Sequence, residues 1–440
     1  MGVMISWWQV PQALSRYVRD VLQQEMSQLR PSGWRWPSPK GPGQDVHLID
    51  DAGADSLELL ALSAAFCDAL DLTTAQDLAH LHEHPTWQAW TSVASTRLER
   101  DDATVRFLSS GSTGRPRRVT HRLVDLEQEM QALLEVLAPS WSGDLRILCP
   151  VRSNHIYGFL FSSLLPVVAA RTMGRLNGKP PQVVDLCGQP AASARAMARE
   201  GDLIVGFPDW WSAVHRAQVQ GSRLWPEGVI GLCSTAPCPQ TVALQALEVG
   251  LNRWVEIYGS SETAGVGWRD DPCGPFTLHE HWRRLGAIGV AEQRTDTGLQ
   301  RRAPDGQWSE PIVLADHLQW LDDSRFVPLA RRDGQVQVGG VNVDPAQVRQ
   351  RLLTHPSVAQ VAVRQHPTPT GMRLKAFVVP QRDLFEADPQ ATAAELREHL
   401  RAWCSRHLVP AARPFDIRIG AALPRNEMGK LADWEPGWQR

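Results

Sequence analysis

The sequence predicts a multidomain protein in three parts: an all-α N-terminal bundle, an α/β core and a small C-terminal α+β domain. Three observations carry this. The first 95 residues show apolar residues at helical spacing. From about residue 104 to 330, short strand-like runs alternate with helical patterns, the signature of α/β layers. Beyond Arg331, strand-like runs accompany one long helical pattern. A chain of 440 residues also exceeds one core of ordinary size, so two or three domains are expected. The boundaries are placed at residues 1–95, 100–331 and 332–440.

Pro11 opens the first helix, with Leu14, Val18, Val21 and Leu22 on one face. Pro31 to Gly43, rich in Pro and Gly, reads as a long loop. In DDAGADSLELLALSAAFCDAL, Asp55 is the N-cap, and Leu59, Leu62, Phe66 and Leu70 keep the helical period. HPTWQAW starts a further helix, with Pro85 in its first turn. The charged segment Ser95 to Thr104 reads as a linker. VRFL, LRILC, LIVGF and WVEIYG are the strand-like runs of the core. VQVGGVNV, VAQVAVRQ and LKAFVVP are those of the last domain, and AAELREHLRAWCSRHL is its helix.

Composition excludes several classes. Apolar residues at 43% and charged residues at 21% argue against a disordered or collagenous chain. The formal charge of −3 gives no general electrostatic case for nucleic acid or an anionic membrane. Cys67, Cys149, Cys187, Cys233, Cys238, Cys273 and Cys404 are scattered without CxxC spacing, so neither a disulfide framework nor a zinc site is expected. MGVMISWWQVPQ lacks a basic segment followed by a long apolar run, which predicts no signal peptide. Ile156 to Ala170, the most apolar stretch, is shorter than the roughly 20 residues that span a bilayer. A cytoplasmic protein is expected. Eighteen Trp against three Tyr is unusual, and some are expected to line an aromatic pocket.

The most informative string is VRFLSSGSTGRPRRV, Val105 to Val119. A strand runs into Ser109, Ser110, Gly111, Ser112, Thr113 and Gly114. Glycines let successive N–H groups converge on one anion, hydroxyls add donors, and Arg115 and Arg117 add charge. This is the physics of a phosphate cradle, without the GK[ST] ending of a Walker loop. Taken alone, SGSTG fits a polar surface turn equally well.

Three further segments stand in order behind it: IYGSSETAG (Ile257 to Gly265), ARRDGQVQVGGVNVDP (Ala330 to Pro345) and LPRNEMGK (Leu423 to Lys430). Together the four resemble the phosphate-binding, YGxTE, GRxDxxIKxxG hinge and LPxTxxGK motifs of the adenylate-forming superfamily of acyl-CoA synthetases, peptide-synthetase adenylation domains and luciferases. The resemblance covers about residues 100 to 435. It implies an ATP-dependent ligase that joins a carboxylate to AMP and passes the acyl group to a thiol. It also implies roles for residues. Ser109 to Gly114 would hold the β- and γ-phosphates. Glu262 would ligate Mg²⁺. Tyr258, Gly259 and Ser261 would belong to the nucleotide site, Ser261 standing where Thr is usual. Asp316, in LADHLQW, would bind the ribose, with Arg331 near ribose and phosphates. Asp333 would be the hinge and Lys430 the mobile catalytic cation. His155, in SNHIYGF, would border the acyl site and thiol tunnel; STAPCP, Ser234 to Pro239, would pack on adenine. Trp210 and Trp211 are candidates for the acid pocket. Departures lie at Gly339, where a basic residue is common, and at Gln347, where Glu is. The region before the phosphate loop is also short for the family.

GADSLELLALSAAF resembles the phosphopantetheine attachment site of acyl and peptidyl carrier proteins, and HPTWQAW their last helix. This implies a four-helix carrier-like bundle with 4′-phosphopantetheine on Ser56, added by a phosphopantetheinyl transferase. A helix N-terminus favours a phosphodiester there. The expected substrate is a small carboxylic acid, aryl or otherwise compact, with ATP and Mg²⁺. The acceptor is Ser56's arm in cis, a separate carrier protein or coenzyme A. The alternative is a non-catalytic scaffold built on a degenerate adenylation domain.

Overall fold

The structure, a computed structural model, describes residues 6–30, 34, 36–37, 45–72, 74–100, 102–109, 117–141, 145–216, 225–285, 298–332, 334–369, 371–381, 389–425 and 431–436. Helix α1 (Pro11–Leu29) has proline at its first position, where the helix needs no donor, and buries Leu14, Tyr17, Val18, Leu22 and Met26. Helix α2 (Ser56–Ala69) starts with a capping box in which Asp55 and Glu58 each accept the other's backbone N–H. Helices α3 (Ala75–Glu83) and α4 (Trp87–Leu98) begin on Thr74 and Thr86, whose hydroxyls accept first-turn N–H groups. Two expectations need correcting here. Pro85 lies outside α4, and α4 runs into the segment read as a linker, because Ala94 and Leu98 continue the buried stripe of Trp90.

Strands β1 (Thr104–Ser109) and β2 (Arg117–Arg122) form a separate antiparallel hairpin, so the VRFL run does not enter the main sheet. Helix α5 (Leu123–Leu137) follows. The α/β part then comprises β3 (Arg146–Cys149), α6 (Ile156–Phe159), a π-helical stretch Leu160–Leu164, α7 (Leu165–Thr172), β4 (Gln182–Asp185), α8 (Ser193–Met197), β5 (Leu203–Gly206), α9 (Pro208–Arg216), β6 (Ile230–Cys233), α10 (Gln240–Glu248) and β7 (Arg253–Ser260). Antiparallel strands follow: β8 (Ala264–Arg269), β9 (Phe276–Leu278), β10 (Trp282–Arg284), β11 (Leu299–Arg301), β12 (Asp316–Trp320) and β13 (Arg325–Arg331). Among the described residues, the main sheet has nine strands in the order β12-β13-β9-β8-β7-β6-β5-β3-β4. It is parallel from β4 to β7 and antiparallel from β7 to β12.

Strand alternation sorts the core onto two faces. Ile147, Leu203, Val205, Ile230, Leu232 and Val255 face one apolar cluster. Leu148, Ile204, Cys233 and Trp254 face another, with Trp211 and Trp225. The first cluster also holds Trp7, Tyr17, Phe66 and Trp90 of the N-terminal helices, so apolar packing runs straight across the boundary expected near residue 95. Polar contacts reinforce this. Arg16 donates to the Ser162 carbonyl at 2.7 Å; Pro166, four residues on, offers that carbonyl no N–H. Arg19 pairs with Asp185 at 2.8 Å, and buried Asp20 accepts from both the N–H and hydroxyl of Ser153 at 2.8 Å. Helix α1 is thus part of the same packing as the α/β core.

The C-terminal part contains β14 (Val336–Val338), β15 (Val341–Val343), α11 (Pro345–Leu353), β16 (Val358–Thr368), β17 (Gly371–Pro380), α12 (Pro389–His407) and β18 (Asp416–Ile419). Its three-stranded sheet β16-β17-β18 and both helices share a separate apolar cluster. Among the described residues, no helix is long and apolar enough to cross a membrane.

Candidate active site

Strand β3 pairs with β4 on one side and β5 on the other, so the winding direction reverses there. Ligands of open α/β sheets gather outside the carboxyl ends of strands at such a switch point. Residues Val151–His155 follow β3, α9 follows β5, Ser234–Pro239 follow β6, and the turn Ser261–Thr263 follows β7. Segments far apart in the chain therefore share one edge.

Three of the expected nucleotide residues meet at this edge. The Tyr258 hydroxyl donates to Asp316 Oδ2 at 2.8 Å, and Asp316 stands directly opposite Arg331 in the β12–β13 register. Burial, then the Asp316 carboxylate, push the Tyr258 phenol well above its ordinary pKa, so it remains a donor. Ser234 fastens the loop after β6 by donating to the Ile257 carbonyl at 2.9 Å. Gly259 sits at an irregularity of the β7–β8 register, where a Cβ would collide with the Ala264 carbonyl.

Beyond it the turn is internally tied. Glu262 N–H and Thr263 N–H both donate to the Ser260 hydroxyl at 3.2 Å. Glu262 is exposed at the tip, and among the described residues no side chain bonds its carboxylate. The Ser261 carbonyl faces the other way and takes a bond from His121 Nε2 at 2.7 Å.

Other expected residues are placed differently. Ser109 ends β1, whereas Ser110, Gly111, Ser112, Thr113, Gly114, Asp333 and Lys430 lie outside the described residues. The hairpin that would carry the expected phosphate loop is held from α2's end: Arg118 pairs with Asp68 at 2.7 Å, and Thr104 donates to Asp71 at 2.9 Å. Lys430's neighbours are likewise anchored. Arg425 and Leu431 bridge antiparallel, and Arg364 donates to the Leu431 carbonyl at 2.8 Å.

His155 is exposed and caps α6, its Nδ1 accepting from Tyr157 N–H at 3.2 Å. Trp211 is core rather than pocket lining: it is fully buried, donates to the Leu232 carbonyl, and packs edge-on against Trp225 and Trp254. Trp210 is 7% exposed and packs beside it. From the C-terminal part, the β14–β15 turn approaches α9. Gly339 has φ +57°, and a Cβ there would lie 3.0 Å from Asp209 Oδ2, so a side chain has no easy place.

Asp20, His121 and Tyr157 were missed in the sequence. Tyr157 donates to the Gly206 carbonyl at 3.1 Å beneath the edge. For His121 the signal was present: RRVTHR alternates, with His121 on the inward side of a strand.

Among the described residues, no group of three or more His, Cys, Asp or Glu is placed to hold a metal ion. The donor set nevertheless suits Mg²⁺ bound with a nucleotide, since a single free carboxylate leaves the remaining positions to phosphate oxygens and water. Glu262→Gln is expected to raise the Mg²⁺ concentration needed for ATP use, with partial recovery at high Mg²⁺. A Mg²⁺ titration matching wild type would remove Glu262 from the metal site.

An α/β sheet with its switch-point edge and an appended small domain fits the architecture of the adenylate-forming enzymes. Residues 46–298 match the AMP-binding enzyme family and residues 347–430 match the AMP-binding enzyme C-terminal domain, and the chain belongs to this family. It is 33% identical over 396 residues to a 4-coumarate–CoA ligase of Rhodobacter capsulatus, covering 88% of this chain and 92% of that one. It is 37% identical over 325 residues to a 4-coumarate–CoA ligase of Halorhodospira halophila, covering 74% of each. In fold it is similar to an amide bond synthetase from Marinactinospora thermotolerans, with TM-score 0.56 and 17% identity over 94% of this chain and 97% of that one.

Proposed function

We infer that the protein is a cytoplasmic AMP-forming acid–thiol ligase whose substrate is a small aryl acid and whose acceptor is coenzyme A. The observation that carries this is the meeting of Tyr258, Asp316 and Arg331 beside the Glu262 turn. The aryl choice draws support from the relatives named 4-coumarate–CoA ligase. In this reading, Asp316, oriented by the Tyr258 hydroxyl, accepts from the ribose hydroxyls, and Arg331 adds positive charge nearby. Ser109 to Gly114 receive the phosphates. Glu262 holds Mg²⁺, which would draw charge from the phosphates. The substrate carboxylate attacks the α-phosphorus and pyrophosphate leaves, with Lys430 meeting the developing charge. The thiol then attacks the acyl carbon, AMP leaves, and the thiol proton is lost. Residues 332–440 turn about Asp333 between the two steps, and His155 borders the acyl site.

ATP–pyrophosphate exchange with a panel of acids tests the reading. Exchange and coenzyme A thioester formation are expected with hydroxycinnamate-type acids and not with acetate. No exchange with any acid would leave the scaffold alternative standing.

A second reading of the acceptor keeps Ser56. It is exposed at the first position of α2, beside Leu57 and Leu60, which are 76% and 51% exposed. If it carries the arm, a phosphopantetheinyl transferase with coenzyme A adds 4′-phosphopantetheine to wild type and not to Ser56→Ala, read by intact mass. No gain of mass in wild type would close this reading and leave coenzyme A or a separate carrier protein as acceptor.

A further inference from the structure

Strand β2, which returns from the phosphate loop, also reaches the turn that carries Glu262. Arg118, Thr120 and Arg122 of β2 are exposed, whereas His121 points inward opposite Val105 and is only 7% exposed. Its Nε2 lies 2.7 Å from the Ser261 carbonyl oxygen. A carbonyl only accepts, so Nε2 carries the proton. Burial holds the imidazole's pKa below its ordinary value, which favours the neutral ring. Nearly two helical turns into α5, the buried Glu129 carboxylate accepts from Gly265 N–H at 2.9 Å. The turn between β7 and β8 is thus gripped on both flanks, at Ser261 and Gly265, by the segment that directly follows the phosphate loop.

We propose that His121 is a positioning residue for the ATP half-reaction: through the Ser261 carbonyl it fixes the turn that presents Glu262, and so sets where that carboxylate stands. The inference rests on the metal reading of Glu262. It differs from a plain packing role in depending on one ring atom. A glutamine amide nitrogen falls near the place of Nε2, and an asparagine amide nitrogen falls near Nδ1. His121→Gln therefore keeps a donor for Ser261, and His121→Asn, equally polar, does not.

The test is calorimetric titration of the full chain with ATP, with and without Mg²⁺, alongside thermal melts to confirm that each variant is folded. His121→Asn is expected to bind ATP about tenfold more weakly in Mg²⁺, the scale of leaving a buried acceptor unpaired, with little change in its absence. His121→Gln is expected to stay within about threefold of wild type. In a Glu262→Gln background, His121→Asn should add nothing, because coupled residues are not additive. Equal losses with and without Mg²⁺, or equal behaviour of the Asn and Gln variants, would overturn the inference. If Glu262→Gln removes the Mg²⁺ effect while His121→Asn retains it, the role of His121 alone falls. If Glu262→Gln itself retains the full Mg²⁺ effect, the metal reading falls and the inference with it.

Discussion

Lys430→Ala is expected to lower acyl-adenylate formation by about 10²–10³-fold while the protein stays folded. The proposed role of Lys430 is that of a cation brought up to the charge that develops as the carboxylate joins the α-phosphate. Such a charge acts strongly because it is aimed at the transition state and costs no reorganisation at the moment of reaction. The chain beside it is built to hold still. The Leu431 carbonyl is taken by Arg364, and fully buried Lys375 reaches the Trp434 carbonyl at 2.5 Å and Asp433 at 3.1 Å. Removing the Lys430 side chain leaves these contacts intact, so stability should not follow activity. ATP–pyrophosphate exchange measures the first half-reaction, and far-UV circular dichroism checks the fold. A variant that forms adenylate at the wild-type rate would take Lys430 out of the mechanism.

Asp202→Ala should destabilise the α/β part by about 3–5 kcal/mol, the usual cost of stranding one partner of a buried ion pair. Asp202 is fully buried and Arg146 nearly so; their two bonds measure 2.9 and 2.6 Å. Asp202 also accepts from Arg199 N–H at 2.6 Å, and Arg146 donates to the Met197 carbonyl at 2.9 Å. Alanine leaves a guanidinium in the interior with one of these partners gone. Replacing both, as Arg146→Met with Asp202→Leu, should recover much of the loss, because no charge then remains to be desolvated. Urea denaturation followed by tryptophan fluorescence reads both. A loss below about 1 kcal/mol for Asp202→Ala would mean that water reaches Arg146 and that the pair behaves as a surface one.

Local chemistry was legible in the sequence. The N-cap at Asp55, the start of α1 at Pro11 and the strands LRILC, LIVGF and WVEIYG follow from side-chain spacing and capping, which act within a few residues. The family was legible too, because four motifs stood in order, and the match over residues 46–298 bears this out. What the sequence could not settle was which segments share a surface. VRFL looks like any core strand, yet β1 pairs only with β2. Trp211 looked like pocket lining, and only the packing of α9 against the sheet puts it in the core with Trp254. The N-terminal helices read as a unit of their own. Only the tertiary structure shows that their apolar residues also pack beyond the bundle: Tyr17 of α1 meets Phe159 and shares one cluster with the first face of the sheet. The bond between His121 and Ser261 joins residues 140 positions apart. Spacing along the chain carries no information about such a contact, since it exists only once β2 and the β7–β8 turn have been folded against each other.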